Sequence, residues 1–325
     1  MNAATVSGKT GSPAGIVLAP PGKAGDLLFR LLSWLMAMMV LALLALVGWT
    51  LCHGSRFALA KFGWNFLVHS NWNPAAGDFG ALPFIYGTFV SSLLGLLIAL
   101  PLSLGTAIYL TELAPVWLRQ PAISMIEMLA AIPSVVFGLW GIFVLLPWLQ
   151  AGPYPLLMKY LGFLPFFQGR SYGPCVLSAG VIIAIMILPI ITSISREVFR
   201  AVPDSQREAV FALGATRWEV TRLAVLRYSA RGIFGAAMLG LGRALGETMA
   251  VTMVIGNRPE ISKSLFSYGY SLASGIANEF AETTSDIHRS ALFELGLMLL
   301  LLTVATHILA RLLIGAVGTD RPTGN

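Results

Sequence analysis

Two side chains of opposite charge, Arg243 and Glu247, stand four residues apart in the otherwise apolar stretch 232–255. Residues four apart face the same side of a helix, so these two can form an ion pair. A charge near the centre of a bilayer is costly, so both side chains need water or protein around them. Arginine suits phosphate-like oxyanions because its planar fork donates two parallel hydrogen bonds. The pair therefore predicts one of two roles: a transport site in which Glu247 orients a cation that attracts an anion, or a structural ion pair that joins two helices.

Three glycines, Gly240, Gly242 and Gly246, surround this pair. Small residues in membrane helices let a neighbouring backbone approach closely. The sequence therefore predicts that the helix carrying Arg243 and Glu247 packs tightly against other helices of the protein.

A second candidate for function is the segment of about residues 196–231, which contains seven arginines. Within it, the runs 205–208 and 216–219 each have the spacing of a capping box, a hydroxyl residue followed three residues later by a glutamate. Gly214, between these runs, can adopt the positive φ that is common at helix C-termini. The segment is therefore predicted to form a helix, a glycine turn and a second helix on the cytoplasmic side.

This helix–turn–helix segment is predicted to expose the apolar side chains of Val210, Phe211 and Trp218. Such a segment can lie on anionic lipid headgroups, with its arginines contacting phosphate. It can also dock into a groove of another protein, which would cover its apolar side. The spacing of the residues is compatible with both interpretations.

The elements that carry both candidates are predicted to be membrane helices. The chain has 325 residues, of which 56% are hydrophobic and 11% charged, and its mean hydropathy is +0.77. Soluble domains are about 25% charged, so a chain this apolar must face lipid. Six stretches have the roughly 20 apolar residues that cross a bilayer: 27–51, 84–110, 125–149, 173–195, 232–255 and 291–314. The predicted fold is an all-α membrane protein with six transmembrane helices in one domain, residues 26–316.

The residues outside this domain are predicted to form two cytoplasmic tails, a disordered one at 1–25 and a short one at 317–325. Cytoplasmic loops of membrane proteins collect lysine and arginine. If the N-terminus is inside, the inner segments hold most of the basic residues. The sequence therefore predicts a multi-pass protein of the cell inner membrane with both termini in the cytoplasm. The net charge of +6 follows from the same bias and does not imply nucleic acid as a partner.

The other reactive and polar residues in the apolar stretches are predicted to be structural. Cys52 and Cys175 are expected to pack as hydrophobic residues, and no His/Cys spacing indicates a metal or cofactor. Glu127 and Glu294 are expected near helix ends at the membrane interface. His307 is expected to be a hydrogen-bonded structural histidine. The GxSxG and HExxH motifs of hydrolases do not occur in the sequence.

The arginine-rich segment resembles the EAA loop of ABC importer permeases. The likeness rests on the run 208–214 (EAVFALG) and on 224–226 (AVL) further along. Val210 replaces the usual second alanine, and Arg227 stands where the family usually has proline. The resemblance implies that this loop docks into a cleft of a cytoplasmic ATPase subunit. The residues that correspond to the family's coupling motif are Glu208, Ala209 and Gly214.

Four runs together are similar to the C-type permease subunit of the phosphate-specific (Pst) ABC importer. They are 87–92 (GTFVSS), 107–112 (AIYLTE), 132–141 (IPSVVFGLWG) and 240–251 (GLGRALGETMAV). The likeness extends over about residues 80–257. The family carries transport-critical basic and acidic residues in the last run, where Arg243 and Glu247 stand in this sequence.

This resemblance implies an ABC importer permease that forms half of a channel for inorganic phosphate. The implied partners are a homologous A-type permease subunit, cytoplasmic ATP-binding subunits and a periplasmic phosphate-binding protein. The chain itself is then expected to hydrolyse nothing. Three alternatives remain: a permease for another oxyanion such as molybdate or sulfate, an ion-coupled secondary transporter with a proton-linked Arg243–Glu247 site, and a purely structural membrane subunit.

Overall fold

The structure, a computed structural model, describes residues 23–169, 173–283 and 285–316, and nearly all of the two predicted tails lies outside them. These residues form helices almost throughout, with one two-stranded antiparallel sheet. The first elements are α1 (Lys23–Gly54), α2 (Arg56–Phe62), α3 (Asn65–Val68), β1 (Trp72–Asn73), β2 (Asp78–Phe79), α4 (Leu82–Ile108), α5 (Val116–Ala131), α6 (Ser134–Trp140), α7 (Leu146–Ala151) and α8 (Pro153–Leu161). They are followed by α9 (Val176–Arg200), α10 (Asp204–Ala212), α11 (Arg217–Val220), α12 (Arg227–Leu245), α13 (Met249–Val254), α14 (Leu272–Glu279) and α15 (Asp286–Ala316).

Five short helical segments complete the fold. Three are π-helical, Tyr109–Leu113, Gly141–Leu145 and Thr221–Leu226, and two are 3₁₀ turns, Pro165–Phe167 and Phe280–Glu282. The chain divides into two units, Met1–Trp49 and Thr50–Asn325. The first unit is described from Lys23 and consists of the first part of α1, a stretch with no buried side chain. The second unit contains all the other elements and both candidate sites.

Among the described residues, five helical stretches are long and apolar enough to cross a membrane. They are Gly25–Gly54, Leu82–Leu113, Ser134–Ala151, Val176–Arg200 and Asp286–Leu313. The predicted span 232–255 is not among them, because α12 carries Arg227, Arg231 and Arg243 and ends before Gly246. The fold is therefore helical and multi-pass as predicted, whereas the count of six spans stays a prediction.

The predicted third span, 125–149, is wrong as one continuous helix. Helix α5 ends at Ala131, and Ile132 and Pro133 are extended, with ψ angles of 128° and 141°. Proline disfavours helical geometry at the residue before it, which explains why the helix stops there. Helix α6 then starts afresh at Ser134, and the span runs from Ser134 to Ala151.

Helix α9 lies at the centre of the main hydrophobic core and packs against α4 on one side and α12 on another. Its buried isoleucines, Ile182, Ile183, Ile187 and Ile191, belong to one cluster with residues of α4, α12 and α13. Glycine permits the close approach of α4, because a Cβ placed on Gly180 would lie 2.8 Å from the Cβ of Leu94. This core fixes the positions of α4, α9 and α12 relative to one another.

A second cluster packs the β1–β2 hairpin against α4 and α15. Trp72 donates a hydrogen bond from Nε1 to Oε2 of Glu279 at 2.8 Å, and Nε2 of His288 lies 3.0 Å from the same oxygen. Phe79 stacks on His288 with ring centroids 5.2 Å apart. In the same helix as His288, Glu294 is only 1% exposed and its Oε2 has no hydrogen-bond partner. The Glu294 carboxylate therefore does not extend to the surface of the protein, as a snorkelling side chain would.

Candidate functional site

The predicted ion pair between Arg243 and Glu247 is present. Nη2 of Arg243 lies 3.4 Å from Oε2 of Glu247, and the two side chains are 47% and 5% exposed. The expectation that both lie on one continuous helix is wrong. Helix α12 ends at Leu245, Gly246 has φ −92° and ψ 2°, and α13 begins only at Met249. The pair therefore bridges a break between two helices.

The break between α12 and α13 occurs at a residue of low helix propensity. Glycine costs about 1 kcal/mol more than alanine in a helix interior, and Gly246 lies at the break. Beyond it, the backbone N–H of Glu247 donates to the carbonyl of Ala244 at 3.2 Å, a tightened last turn. Oε1 of Glu247 accepts a hydrogen bond from the N–H of Ala250 at 3.4 Å. The Glu247 carboxylate is thus held on one side by Arg243 and on the other by the first turn of α13.

Helix α13 is held in place by the glycine-rich run in α6 and the π-helical turn after it. A Cβ on Gly138 would lie 3.2 Å from the Cα of Ala250, and one on Gly141 would lie 2.9 Å from Cγ1 of Val254. A larger residue at either position would force its neighbours to shift, so glycine favours these close approaches. The runs 132–141 and 240–251, which are separate in the sequence, therefore form one packed unit beneath Glu247.

The glycines around Arg243 do not all have the packing role predicted for them. A Cβ on Gly240 would lie 2.8 Å from Ile191 of α9, and one on Gly242 would lie 2.8 Å from His307 of α15. Both positions therefore permit close helix contacts. A Cβ on Gly246 would meet nothing nearer than 4.0 Å. Gly246 is therefore not required for close helix packing, and it lies where α12 ends. His307 is bonded to its own helix, with Nδ1 3.0 Å from the Thr303 carbonyl.

The arginine-rich segment forms the predicted helix, turn and helix. Gly214 follows α10 with a φ of +82°. Thr216 and Glu219 form the predicted capping box, with the Thr216 N–H donating to Glu219 at 2.7 Å. Hydrogen bonds from the backbone N–H of Thr216, and then from its hydroxyl, lower the pKa of Glu219. Helix α9 continues to Arg200 and α12 begins at Arg227, so both ends of the predicted loop 196–231 belong to longer helices.

The predicted capping box at residues 205–208 is wrong. Helix α10 begins at Asp204, and Pro203, two residues before the predicted N-cap Ser205, occupies the N-cap position without a side-chain hydrogen bond. Pro203 has φ −59° and ψ 140°, which leads the chain directly into the helix. Ser205 therefore lies inside the helix, where its hydroxyl cannot cap.

The three residues expected to couple this loop to an ATPase, Glu208, Ala209 and Gly214, are all exposed. Large apolar side chains are exposed beside them. They are Phe211 at 47%, Leu213 at 86% and Trp218 at 61%. Val210, which was expected to be exposed with them, is half-buried.

Two further arginine–glutamate pairs connect helices in ways that sequence reasoning missed. Arg196 of α9 lies 3.6 Å from Glu127 of α5, and Arg207 of α10 lies 3.2 Å from Glu112 after α4. Glu127 was expected at a helix end near the membrane interface or, alternatively, facing the transport pathway. The partners of the second pair are 95 residues apart, and no local spacing relates them.

The cysteines and acidic residues give no indication of a metal centre within the described ranges. Cys175 is buried and Cys52 exposed, and both are free thiols. Among the described residues, no group of three or more His, Cys, Asp or Glu side chains is arranged to hold a metal ion. The chemistry of the described site thus resides in its arginines and glutamates.

Several known proteins are similar to this chain. One solved structure of the MetNI methionine ABC transporter, inward-facing, has a TM-score of 0.49 to this chain at 19% identity, covering 73% of this chain and 94% of that one. A family described as binding-protein-dependent transport system inner membrane component matches residues 99–318. The phosphate transport system permease protein PstC of Pasteurella multocida (strain Pm70) is 48% identical over 89% of this chain and 91% of its own length. PstC of Xylella fastidiosa (strain 9a5c) is 43% identical over 97% of each chain. On the strength of the family match and these two relatives, the chain belongs to the PstC family of phosphate transport system permease proteins.

Proposed function

We propose that this chain forms half of a channel that carries inorganic phosphate into the cytoplasm, with energy from ATP that other chains hydrolyse. Its relatives are named phosphate transport permeases, and the chain is a transport subunit and not itself an enzyme. The observation that carries the proposal is the guanidinium of Arg243, 47% exposed at a helix break beside a buried carboxylate. Glu247 is its one ion-pair partner among the described residues, so donors remain for an oxyanion.

The two charges of the pair have different tasks in this proposal. Arg243 attracts phosphate and binds two of its oxygens with a planar fork. Glu247 is anchored by the Ala250 N–H, so it fixes the orientation of Arg243 and offsets part of its charge. A conducting site must bind its ion strongly enough to admit it and weakly enough to release it. A neutralised pair with an exposed cation meets both requirements.

The exposed end of the helix–turn–helix segment is the proposed docking site for a cytoplasmic ATP-binding subunit. Glu208, Ala209 and Gly214 supply the motif, and the exposed Phe211 and Leu213 supply apolar surface that a protein groove would cover. A homologous A-type permease would complete the channel, and a periplasmic phosphate-binding protein would deliver the substrate. The lipid bilayer surrounds the remaining apolar faces.

In the proposed arrangement, the helix–turn–helix segment and both termini lie in the cytoplasm of a cell with an inner membrane. Single cysteines at Ser205 and Ser285, in a chain without Cys52 and Cys175, test that orientation. An impermeant thiol reagent added outside intact cells is expected to label Ser285→Cys and to leave Ser205→Cys unlabelled. The reverse pattern would overturn the orientation and the docking proposal with it.

The function is tested with the intact complex purified into proteoliposomes. Phosphate, presented with the binding protein, is expected to stimulate ATP hydrolysis and to accumulate inside the vesicles. Stimulation by molybdate or sulfate without stimulation by phosphate would assign the chain to another oxyanion. Uptake that follows an ion gradient and ignores ATP would assign it to the secondary transporters.

A further inference from the structure

A second arginine, Arg207, connects the helix–turn–helix segment to neighbouring helices through hydrogen bonds. Its Nη2 donates to Oε1 of Glu112 at 3.2 Å and to the carbonyl of Phe199 at 2.8 Å. Its Nη1 donates to the carbonyl of Val202 at 2.6 Å and to Oδ1 of Asp204 at 3.1 Å. The side chains of Arg207 and Glu112 are each 16% exposed. One guanidinium therefore makes four contacts with groups that belong to three different segments.

Three of these four contacts reach the ends of long helices, and the fourth, to Asp204, lies within α10 itself. Phe199 lies in the last turn of α9, where its carbonyl also accepts a hydrogen bond from the N–H of Val202 at 3.3 Å, and Val202 follows the helix. Glu112 lies in the π-helical turn Tyr109–Leu113 that continues α4. Arg119 holds this turn from its other side by donating to the carbonyl of Thr111 at 3.2 Å. Arg207 is thus bonded to the ends of both α4 and α9.

A small hydrophobic cluster also connects the ends of α4 and α9. It consists of Ala107, Phe199, Val202 and Val225, all at most 2% exposed. Helix α10 contributes no residue to this cluster and has no buried residue of its own. A nine-residue helix without a buried face is not stable by itself. Helix α10 also packs against the π-helical turn Thr221–Leu226 and α11. The described side-chain hydrogen bonds that join α10 to the ends of α4 and α9 are those of Arg207.

We propose that Arg207 is a positioning residue that transmits the movement of α10 to the ends of α4 and α9. The inference rests on the proposed function, in which α10 is moved by an ATP-binding subunit. A guanidinium is a rigid plane, so its fork fixes both distance and direction between the helices it joins. A lysine ammonium would keep the charge but would hold fewer of these groups at once. Arg207 touches no substrate in this account.

The test compares Arg207→Gln, Arg207→Lys and Glu112→Gln with the matched control Arg200→Gln. Arg200 is exposed and lies at the end of α9, and its side chain has no hydrogen bond or ion pair among the described residues. The readouts are the amount of assembled complex, phosphate-stimulated ATP hydrolysis, and phosphate imported per ATP in proteoliposomes. Arg207→Gln is expected to assemble and hydrolyse ATP, while phosphate per ATP falls at least about fivefold, the lower range of coupling between sites. Arg207→Lys and Glu112→Gln are expected to be intermediate, and Arg200→Gln to match the parent.

A distance measurement reports the attachment directly. Spin labels at Ser205 in α10 and Leu113 at the end of the π-helical turn, both exposed, are placed in a complex without other cysteines. The distance distribution is expected to be narrow in the parent and in Arg200→Gln, and broad in Arg207→Gln. An unchanged narrow distribution in Arg207→Gln would overturn the inference.

The outcomes separate this inference from the proposed function. If the parent complex imports phosphate and Arg207→Gln imports the same amount per ATP, the inference fails and the function stands. If Arg207→Gln only lowers the amount of complex and leaves phosphate per ATP unchanged, Arg207 is merely structural and the inference also fails. If the parent imports no phosphate at all, the proposed function fails and the transmission role fails with it.

Discussion

Arg243 and Arg207 pair with glutamates at almost the same distance, 3.4 Å and 3.2 Å, yet their surroundings differ. The Arg207 side chain is 16% exposed, and four acceptors occupy its guanidinium. The Arg243 side chain is 47% exposed, and its described partner is Glu247. The same ion pair can therefore serve two purposes. A guanidinium whose donors are occupied holds helices in place, and one whose donors are open is available to an anion.

The glutamates of the two pairs also differ in a way that fits these purposes. Glu247 is 5% exposed and is held at the break between α12 and α13. It therefore binds its arginine while leaving the rest of the guanidinium open. Glu112 shares the 16% exposure of Arg207, so the whole pair is enclosed. Both glutamates lie where regular α-helix is interrupted, one at a break and one in a π-helical turn. Such interruptions are frequent at functional sites.

The comparison predicts the largest effect for Arg243→Gln. Loss of a charge-assisted hydrogen bond costs about 1.5–3 kcal/mol, so phosphate uptake should fall roughly ten- to a hundredfold while the complex still assembles. Phosphate stimulation of ATP hydrolysis should be lost in this variant. In Arg207→Gln that stimulation should persist, because the anion site is intact. Equal loss of stimulation in both variants would contradict the distinction between them.

Arg243→Lys separates the effect of charge from that of donor geometry, because it keeps the charge and removes the planar fork. Uptake should lie between the values of the parent and of Arg243→Gln when each is divided by the amount of assembled complex. A lysine variant as inactive as the glutamine variant would show that orientation of the donors matters more than charge.

The next largest effect is expected for Gly214→Val. The φ of +82° at Gly214 is strained for any residue with a β-branched side chain, at a cost of about 1–3 kcal/mol. The turn should reorient, so transport and transport-linked ATP hydrolysis should fall while the chain still inserts. Gly105→Val is the matched control, since Gly105 lies in a helix and a Cβ there meets nothing within 4 Å. Normal transport by Gly214→Val would mean that this loop is not the coupling element.

The smallest effect is expected at the cap of α11. Thr216→Ala removes the hydroxyl of the capping box, and hydrogen exchange of the α11 amides should report a loss of about 1 kcal/mol in local opening free energy. The pKa of Glu219 is lowered in the folded protein, so its contribution is full above the usual glutamate range. That contribution is lost as the pH falls through the lowered pKa. A difference between parent and Thr216→Ala that is unchanged on acidification would contradict this role of Glu219.

Features determined by neighbouring residues could be predicted from the sequence. The positive φ of Gly214 and the Thr216–Glu219 box depend on a few adjacent residues, and both are present. The box at 205–208 was wrong because the N-cap is Pro203, two residues before the predicted N-cap Ser205. The helical membrane fold followed from composition, which requires no tertiary information.

Features determined by tertiary contact could not be predicted. The glycines near Arg243 suggested packing, and spacing does not reveal that Gly246 instead ends α12. The pairs Arg196–Glu127 and Arg207–Glu112 join helices that are distant in sequence. Glu294 was expected to snorkel because it lies near the start of the predicted sixth span, whereas it is 1% exposed inside the protein. In each case the neighbouring helix decides the role of the residue.

The central claim, that Arg243 is available to an anion and is not merely a structural partner, is tested by one double variant. Arg243→Gln with Glu247→Gln removes both charges, so no unpaired carboxylate is left buried at the break. Radioactive phosphate uptake is measured together with the amount of assembled complex. The account predicts that the double variant assembles as well as the parent and imports almost no phosphate, because no cation remains to attract it. Near-normal uptake per assembled complex would contradict the account and would make Arg243–Glu247 a structural pair.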